Sequence, residues 1–194
     1  MTLYLVRHGR ATAGVEALDP GLDPVGHSQA SRVATALSDR GITRLVCSPL
    51  RRARETMMPL REALGIEPVV AREVAEVFDP SLEVDARRAM LGPFLSGVWS
   101  AQPAALRKWR EGVLRALVEL GETNTVVVSH FVAISAAIGA STEDDRISPC
   151  ALAHASITTM EVSGARLVLR RPGEVSHLPA DEITATHAAK PGMP

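Results

Sequence analysis

An apolar run, Leu3, Tyr4, Leu5 and Val6, stops on Arg7, His8 and Gly9. Two later stretches repeat the arrangement. Leu45, Val46 and Cys47 break at Ser48 and Pro49 and lead to Arg52, and Val126, Val127 and Val128 end in Ser129 and His130. Short apolar runs bounded by polar and turn-forming residues have the composition of buried strands, so each cation or imidazole stands just past the carboxyl end of one. In an open α/β sheet that edge is where ligands bind, and separate strands deliver their last residues to it. Arg7, Arg52 and His130 gathered around His8 would suit a phosphate, because guanidinium groups match phosphate oxygens with paired hydrogen bonds. At an effective dielectric near 20, each close charge pair is worth about 4 kcal/mol before desolvation. Neighbouring positive charge also holds an imidazole neutral and leaves a ring nitrogen free to attack phosphorus. Spacing alone is equally compatible with duller roles: structural histidines, a solvated face at Arg51, Arg52 and Arg54, and a surface carboxylate at Glu76. His8 and His130 as metal ligands would lack a third ligand at the usual spacing.

The elements that would position these groups follow from the rest of the pattern. A polar loop runs from Thr12 to Gly21, and Asp23 with Pro24 makes a helix N-cap and first-turn pair. Ala30, Val33, Ala34 and Leu37 then repeat at helical spacing until Gly41. A second helical pattern begins around Leu50, Arg51 and Arg52, runs out to Leu64 and closes at Gly65; Pro68 to Val70 read as a third short strand, followed by Glu73 and Glu76. A helix from about Pro103 to Leu120 buries Leu106, Trp109, Val113, Leu117 and Leu120, and a small-residue helix follows His130 through Ala140. Ser156 to Val162 and Arg166 to Arg170 read as a hairpin turning at Gly164. Strands interleaved with helices predict an α/β three-layer sandwich: a mostly parallel central sheet, helices on both faces and an antiparallel edge hairpin. Residues 1–178 would form one domain and 179–194 a tail whose Ala, Pro and Thr content predicts mobility. Periodicity weakens over 77–110, which reads as an inserted, lid-like segment with short helices. Phe94, Trp99 and Trp109 there suggest an organic substrate with a hydrophobic body.

Bulk properties exclude several classes. The 194 residues are 46% hydrophobic and carry a formal net charge of -1, with no clustered basic field of the kind nucleic acid requires. No apolar run spans a bilayer, and the N-terminus lacks a signal-peptide pattern, which predicts a cytoplasmic protein with no membrane partner. Cys47 and Cys150 make neither a metal-ligand spacing nor a disulfide framework and are expected as reduced thiols. The oligomeric state, homodimer included, is left open.

Leu5, Val6, Arg7, His8 and Gly9 resemble the signature of the histidine phosphatase superfamily, the phosphoglycerate-mutase-like enzymes. Leu22, Asp23, Gly26, Gln29 and Ala30 resemble the next family stretch, and Ser48, Pro49, Leu50, Arg52, Ala53 and Thr56 its second arginine motif. Val126 to His130 is similar to the strand carrying its second histidine. His154 to Thr158, with His177 and Leu178, is similar to its closing hairpin and end motif. The resemblance implies a cofactor-independent, metal-free phosphoric monoester hydrolase of the histidine acid type acting on a small phosphate ester. His8 would carry the phosphoryl group, Arg7, Arg52 and His130 would hold its oxygens, and Glu76 would donate and later abstract the proton, with Glu73 second for that role. Arg10 and Ala11 after Gly9, Gly14, and Phe78, Asp79 and Pro80 after Glu76 depart from the mutase pattern and favour a phosphatase. Phosphoglycerate mutase chemistry and a non-catalytic phosphate-binding regulatory module are the alternatives, and Arg10 is read either as a further anion contact or as a solvent-facing residue.

Overall fold

The computed structural model describes residues 1–12, 19–77 and 84–184, the side chains of 84–89 excepted. Gly14, Phe78, Asp79, Pro80 and the last ten residues lie outside the described residues. Six strands form one sheet: β1 (Thr2–Arg7), β2 (Arg44–Cys47), β3 (Val69–Val70), β4 (Thr125–Ser129), β5 (Ile157–Ser163) and β6 (Arg166–Glu174), in the order β3-β2-β4-β1-β5-β6. Neighbours from β3 to β1 are parallel, whereas β5 runs antiparallel to β1 and to β6. The predicted sheet and edge hairpin are therefore what the chain forms, with Gly164 at φ 60 in the hairpin turn.

Alternation of side chains along each strand feeds two cores. Leu3, Leu5 and Val127 point into one, with α4 (Ala104–Leu120) and α5 (Phe131–Thr142); Val6, Val126 and Val128 point into the other, with α1 (Pro24–Leu37) and α2 (Arg51–Leu64). Asp23 caps α1, its Oδ1 accepting from Gly26 N at 2.8 Å, and Pro24 opens the helix. The helix ends at Leu37, before Gly41, because Ser38 to Arg40 turn out of it. Gly65, left-handed at φ 65, terminates α2 as expected.

The aromatic residues of the 77–110 segment serve the core. Trp99 is 1% exposed, stacks on Trp109 at 6.0 Å and meets Phe94 edge-on at 5.8 Å. Trp99 N donates to Asp145 O and Ile147 N to Gly97 O, tying residues 97–102 to the loop after α5, at the end of that helix remote from His130. This corrects the reading of the tryptophans as contacts for a hydrophobic substrate, since burying indole against indole removes more apolar surface from water than lining an open site would. The helix preceding them, α3, spans Val84–Leu95.

Candidate active site

The carboxyl ends of β1, β2 and β4 meet because β4 lies between the other two. His8 N donates to Ser129 O at 3.0 Å and Ser48 N to Val128 O at 3.0 Å, so the three chains stay in register past the last strand residue. Arg52 is in the first turn of α2, and His130 is the N-cap of α5. Two helix N-termini, each the positive end of a helix dipole, therefore face the same place.

Hydrogen-bond partners fix the ring states. His8 Nδ1 is 2.8 Å from Gly9 O, which can only accept, so Nδ1 carries the proton and Nε2 keeps a lone pair. Arg52 Nε donates to that Nε2 at 3.2 Å. Arg52 Nη2 is 3.3 Å from His130 Nδ1 and must be the donor, so His130 carries its proton on Nε2 and donates to Ser48 Oγ at 2.7 Å. Both imidazole lone pairs thus face one guanidinium group, a geometry for an anion and an unsuitable one for a cation. Burial, followed by the charges of its neighbours His130, Arg52 and Arg7, holds the His8 pKa well below the ordinary 6.5. Burial does the same to His130, with Arg52 and Arg7 adding to it.

Arg7 is 4% exposed, and burial lowers its pKa to about 10, which leaves it charged at neutral pH. Its Nη1 donates to Leu152 O, its Nη2 is 3.0 Å from His154 Nε2, and the guanidinium carbon lies 5.4 Å from the Phe131 ring centroid. Its buried Nε has no hydrogen-bond partner among the described residues. Glu76 follows a short turn at Arg72–Val74 that Ser129 Oγ anchors by donating to Val74 O at 2.7 Å. The carboxylate is 4.0 Å from His130 Nδ1 and accepts from Val77 N at 3.0 Å. Burial raises its pKa, against the opposing pull of the Val77 amide and of Arg52 and Arg7. Glu73 is exposed on the same turn.

Arg7, His8, Arg52, Glu76 and His130 are thereby brought together. Arg10 is not among them: its Nε pairs with Asp23 at 2.5 Å, a tie between the His8 loop and α1, and its side chain stays 41% exposed, which fits the solvent-facing reading better than a further anion contact. Close approach there requires glycine, since a Cβ on Gly9 would lie 2.7 Å from Gly26 O. Sequence reasoning missed Asp19, whose Oδ1 is 3.6 Å from Arg52 Nη1 and whose Oδ2 accepts from Arg51 N. It also missed His154 as a site residue, although the closing motif contained it. Its ring centroid is 5.5 Å from that of His8. Among the described residues no group of three His, Cys, Asp or Glu is arranged to hold a metal ion, and no helix is long and apolar enough to cross a membrane.

Comparison with known proteins gives three results. The family model of the histidine phosphatase superfamily (branch 1) matches residues 3–174. An uncharacterized Mycobacterium tuberculosis protein, Rv0525, is 40% identical over 72 residues, 34% of this chain and 36% of that protein, so the match covers about a third of the curated relative's length. Among solved structures, YhfR of Bacillus stearothermophilus superimposes with a TM-score of 0.74 at 23% identity, covering 92% of this chain and 99% of that one. A phosphoserine phosphatase mutant from Entamoeba histolytica, in complex with phosphoserine, gives 0.70 at 21% identity with the same coverage. Identities this low establish a shared fold.

Proposed function

The chain belongs to the histidine phosphatase superfamily, branch 1, and from that premise we propose that it hydrolyses small phosphomonoesters through a phosphohistidine on His8. The observation that carries this reading is the Nε2 lone pair of His8, kept free of a proton by the Gly9 carbonyl and by burial among cations. In the first step Nε2 forms a bond to phosphorus while the bond from phosphorus to the ester oxygen breaks. Glu76, whose raised pKa keeps a proton available, gives that proton to the departing oxygen. In the second step Glu76 takes a proton from water, the water oxygen bonds to phosphorus, and the N–P bond breaks to restore the lone pair. Arg7 and Arg52 would turn toward the phosphoryl oxygens, and His130 would join them on taking a proton at Nδ1 when the anion binds. With one N–H of Nη1 and one of Nη2 held, Arg7 Nε–H is among the guanidinium donors still available, and such preorganised donors act most strongly on charge that develops in the transition state.

A small substrate in the cytoplasm, of the class that phosphoserine represents for the Entamoeba protein, is part of the same proposal. The test is hydrolysis of a generic aryl phosphate in the presence of a chelator, together with acid-stable or base-stable trapping of the enzyme-bound phosphoryl group. Turnover that resists chelation, is lost in His8→Ala and passes through a base-stable, acid-labile adduct is expected. An acid-stable adduct, or turnover unchanged in His8→Ala, would overturn the mechanism.

A further inference from the structure

Building on the phosphatase reading, we propose that residues 179–184 form a strap that sets the direction of Arg7, with Thr184 and His154 as its positioning residues. Composition alone gave this stretch no structure, yet it is tied down at Glu182 and again at Thr184. After Pro179 a short turn at Ala180–Glu182 lies along α1. The Glu182 carbonyl accepts from Gln29 Nε2 at 2.7 Å, and its carboxylate accepts from Ser28 Oγ at 2.7 Å and pairs with Arg32 at 3.2 Å. Gln29 is fully buried and its Oε1 accepts from Arg10 N at 2.8 Å, so the same side chain touches the loop that carries His8. Two residues beyond Glu182, Thr184 Oγ1 is 2.6 Å from His154 Nδ1.

The donor logic then runs one way. An arginine can only donate, so His154 Nε2, 3.0 Å from Arg7 Nη2, must accept. Neutral His154 therefore carries its proton on Nδ1 and gives it to Thr184 Oγ1. Replacing that hydroxyl by a methyl group would leave the Nδ1–H facing an apolar surface, which disfavours this tautomer against the one with its proton on Nε2, where an N–H would oppose the Arg7 N–H. The backbone shows that this placement is held against a local preference: Ala155, next to His154, is at φ 57 and fully buried, its amide donating to Arg7 O at 3.0 Å. Non-glycine residues held in the left-handed region cluster where surrounding structure over-determines a functional geometry. Because Nη1 is held by Leu152 and Nη2 by His154, the direction of Arg7 Nε depends on both anchors.

The experiment uses the full chain labelled with 15N-histidine, as wild type, Thr184→Val and Thr184→Ser, with His154→Asn to assign the His154 signal. The ring nitrogens report the tautomer directly, and titration with inorganic phosphate reports the site. Wild type and Thr184→Ser are expected in the Nδ1–H form. Thr184→Val is expected to lose that form, to bind phosphate about tenfold more weakly and to raise the aryl phosphate KM by a similar factor, as the loss of one positioned charge-assisted bond would do. An unchanged tautomer with phosphate affinity within twofold of wild type overturns the strap and leaves the phosphatase reading standing. A wild-type chain that neither binds phosphate nor cleaves the ester overturns the phosphatase reading, and the tautomer then decides the strap alone: loss of the Nδ1–H form in Thr184→Val supports it, retention overturns it.

Discussion

The two ends of the same three parallel strands solve opposite problems. Where β1, β2 and β4 begin, one neutral residue joins them: Asn124 Oδ1 accepts from Thr2 N, its Nδ2 donates to Gly41 O, and its backbone carbonyl accepts from Thr43 N. Thr125 adds a bond from Oγ1 to Leu120 O. Every partner there is neutral, and satisfied hydrogen bonds cost the fold little. Where the strands finish, Arg7, His8, Arg52 and His130 crowd together, with the half-buried carboxylate of Glu76 beside them and Asp19 against Arg52. Like charges and desolvated imidazoles at that end lower the stability of the folded chain, which the apolar cores on either face offset. The contrast teaches that site chemistry and stability are separable along strands of four to six residues.

That separation predicts a graded set of effects. His8→Ala should reduce phosphatase turnover by at least ~10⁴-fold while moving the unfolding free energy by less than about 2 kcal/mol, measured by steady-state hydrolysis and urea unfolding. Glu76→Gln comes next, with a loss of about 10²- to 10⁴-fold for a substrate with a poor leaving group. Because the Glu76 pKa is raised, wild-type activity with such a substrate should persist above the ordinary carboxylate range and fall as pH rises through the Glu76 pKa; the variant should lack that fall. A pH-independent rate in the wild type would remove Glu76 from the proton-transfer step.

Stability should depend on pH in the direction that His8 and His130 set. Both fold neutral with pKa values well below 6.5, so below that pH the unfolded chain binds protons that the folded chain refuses, and stability falls as pH drops. The limiting slope is about 1.4 kcal/mol per pH unit for each histidine. Glu76 acts in the opposite sense, since its folded pKa is raised and its share is lost as pH climbs above 4.5. His130→Asn should flatten the loss between pH 6.5 and 5.5, as measured by thermal unfolding. The smallest effect belongs to the other end: Asn124→Ala should lower stability by about 1–2 kcal/mol with kcat within twofold of wild type and the pH slope unchanged. If Asn124→Ala instead altered kcat strongly, the two ends would be coupled and the comparison would break.

Much of this arrangement was legible in the sequence, for local reasons. Gly65, the valines at 126–128 and the Asp23–Pro24 pair signal their own elements, and strand ends in a parallel sheet converge whatever the loops do. The convergence of Arg7, His8, Arg52 and His130 needed nothing more. Arg10 was illegible because its state depends on Asp23, which had already been assigned to a cap and serves both purposes. Asp19 comes from an irregular loop with no periodicity to place it, and His154 meets Arg7 across 147 positions of chain. Trp99 and Trp109 misled because an aromatic residue looks the same in sequence whether it packs on a core or lines a site.

The sheet order also sets a timetable for synthesis. β1 is made first but belongs in the middle, between β4 and β5, and Thr2 is separated from its partner Asn124 by 122 positions. At about 5–20 residues per second on the ribosome, Leu3, Leu5 and Val6 wait roughly 6 to 25 s for the strand that covers them. During that interval β2 cannot reach β1, since β4 is the strand that joins them. His8 and Arg52 are therefore strangers in the nascent chain until β4 arrives, and the proposed phosphate site is among the last features of the sheet to assemble.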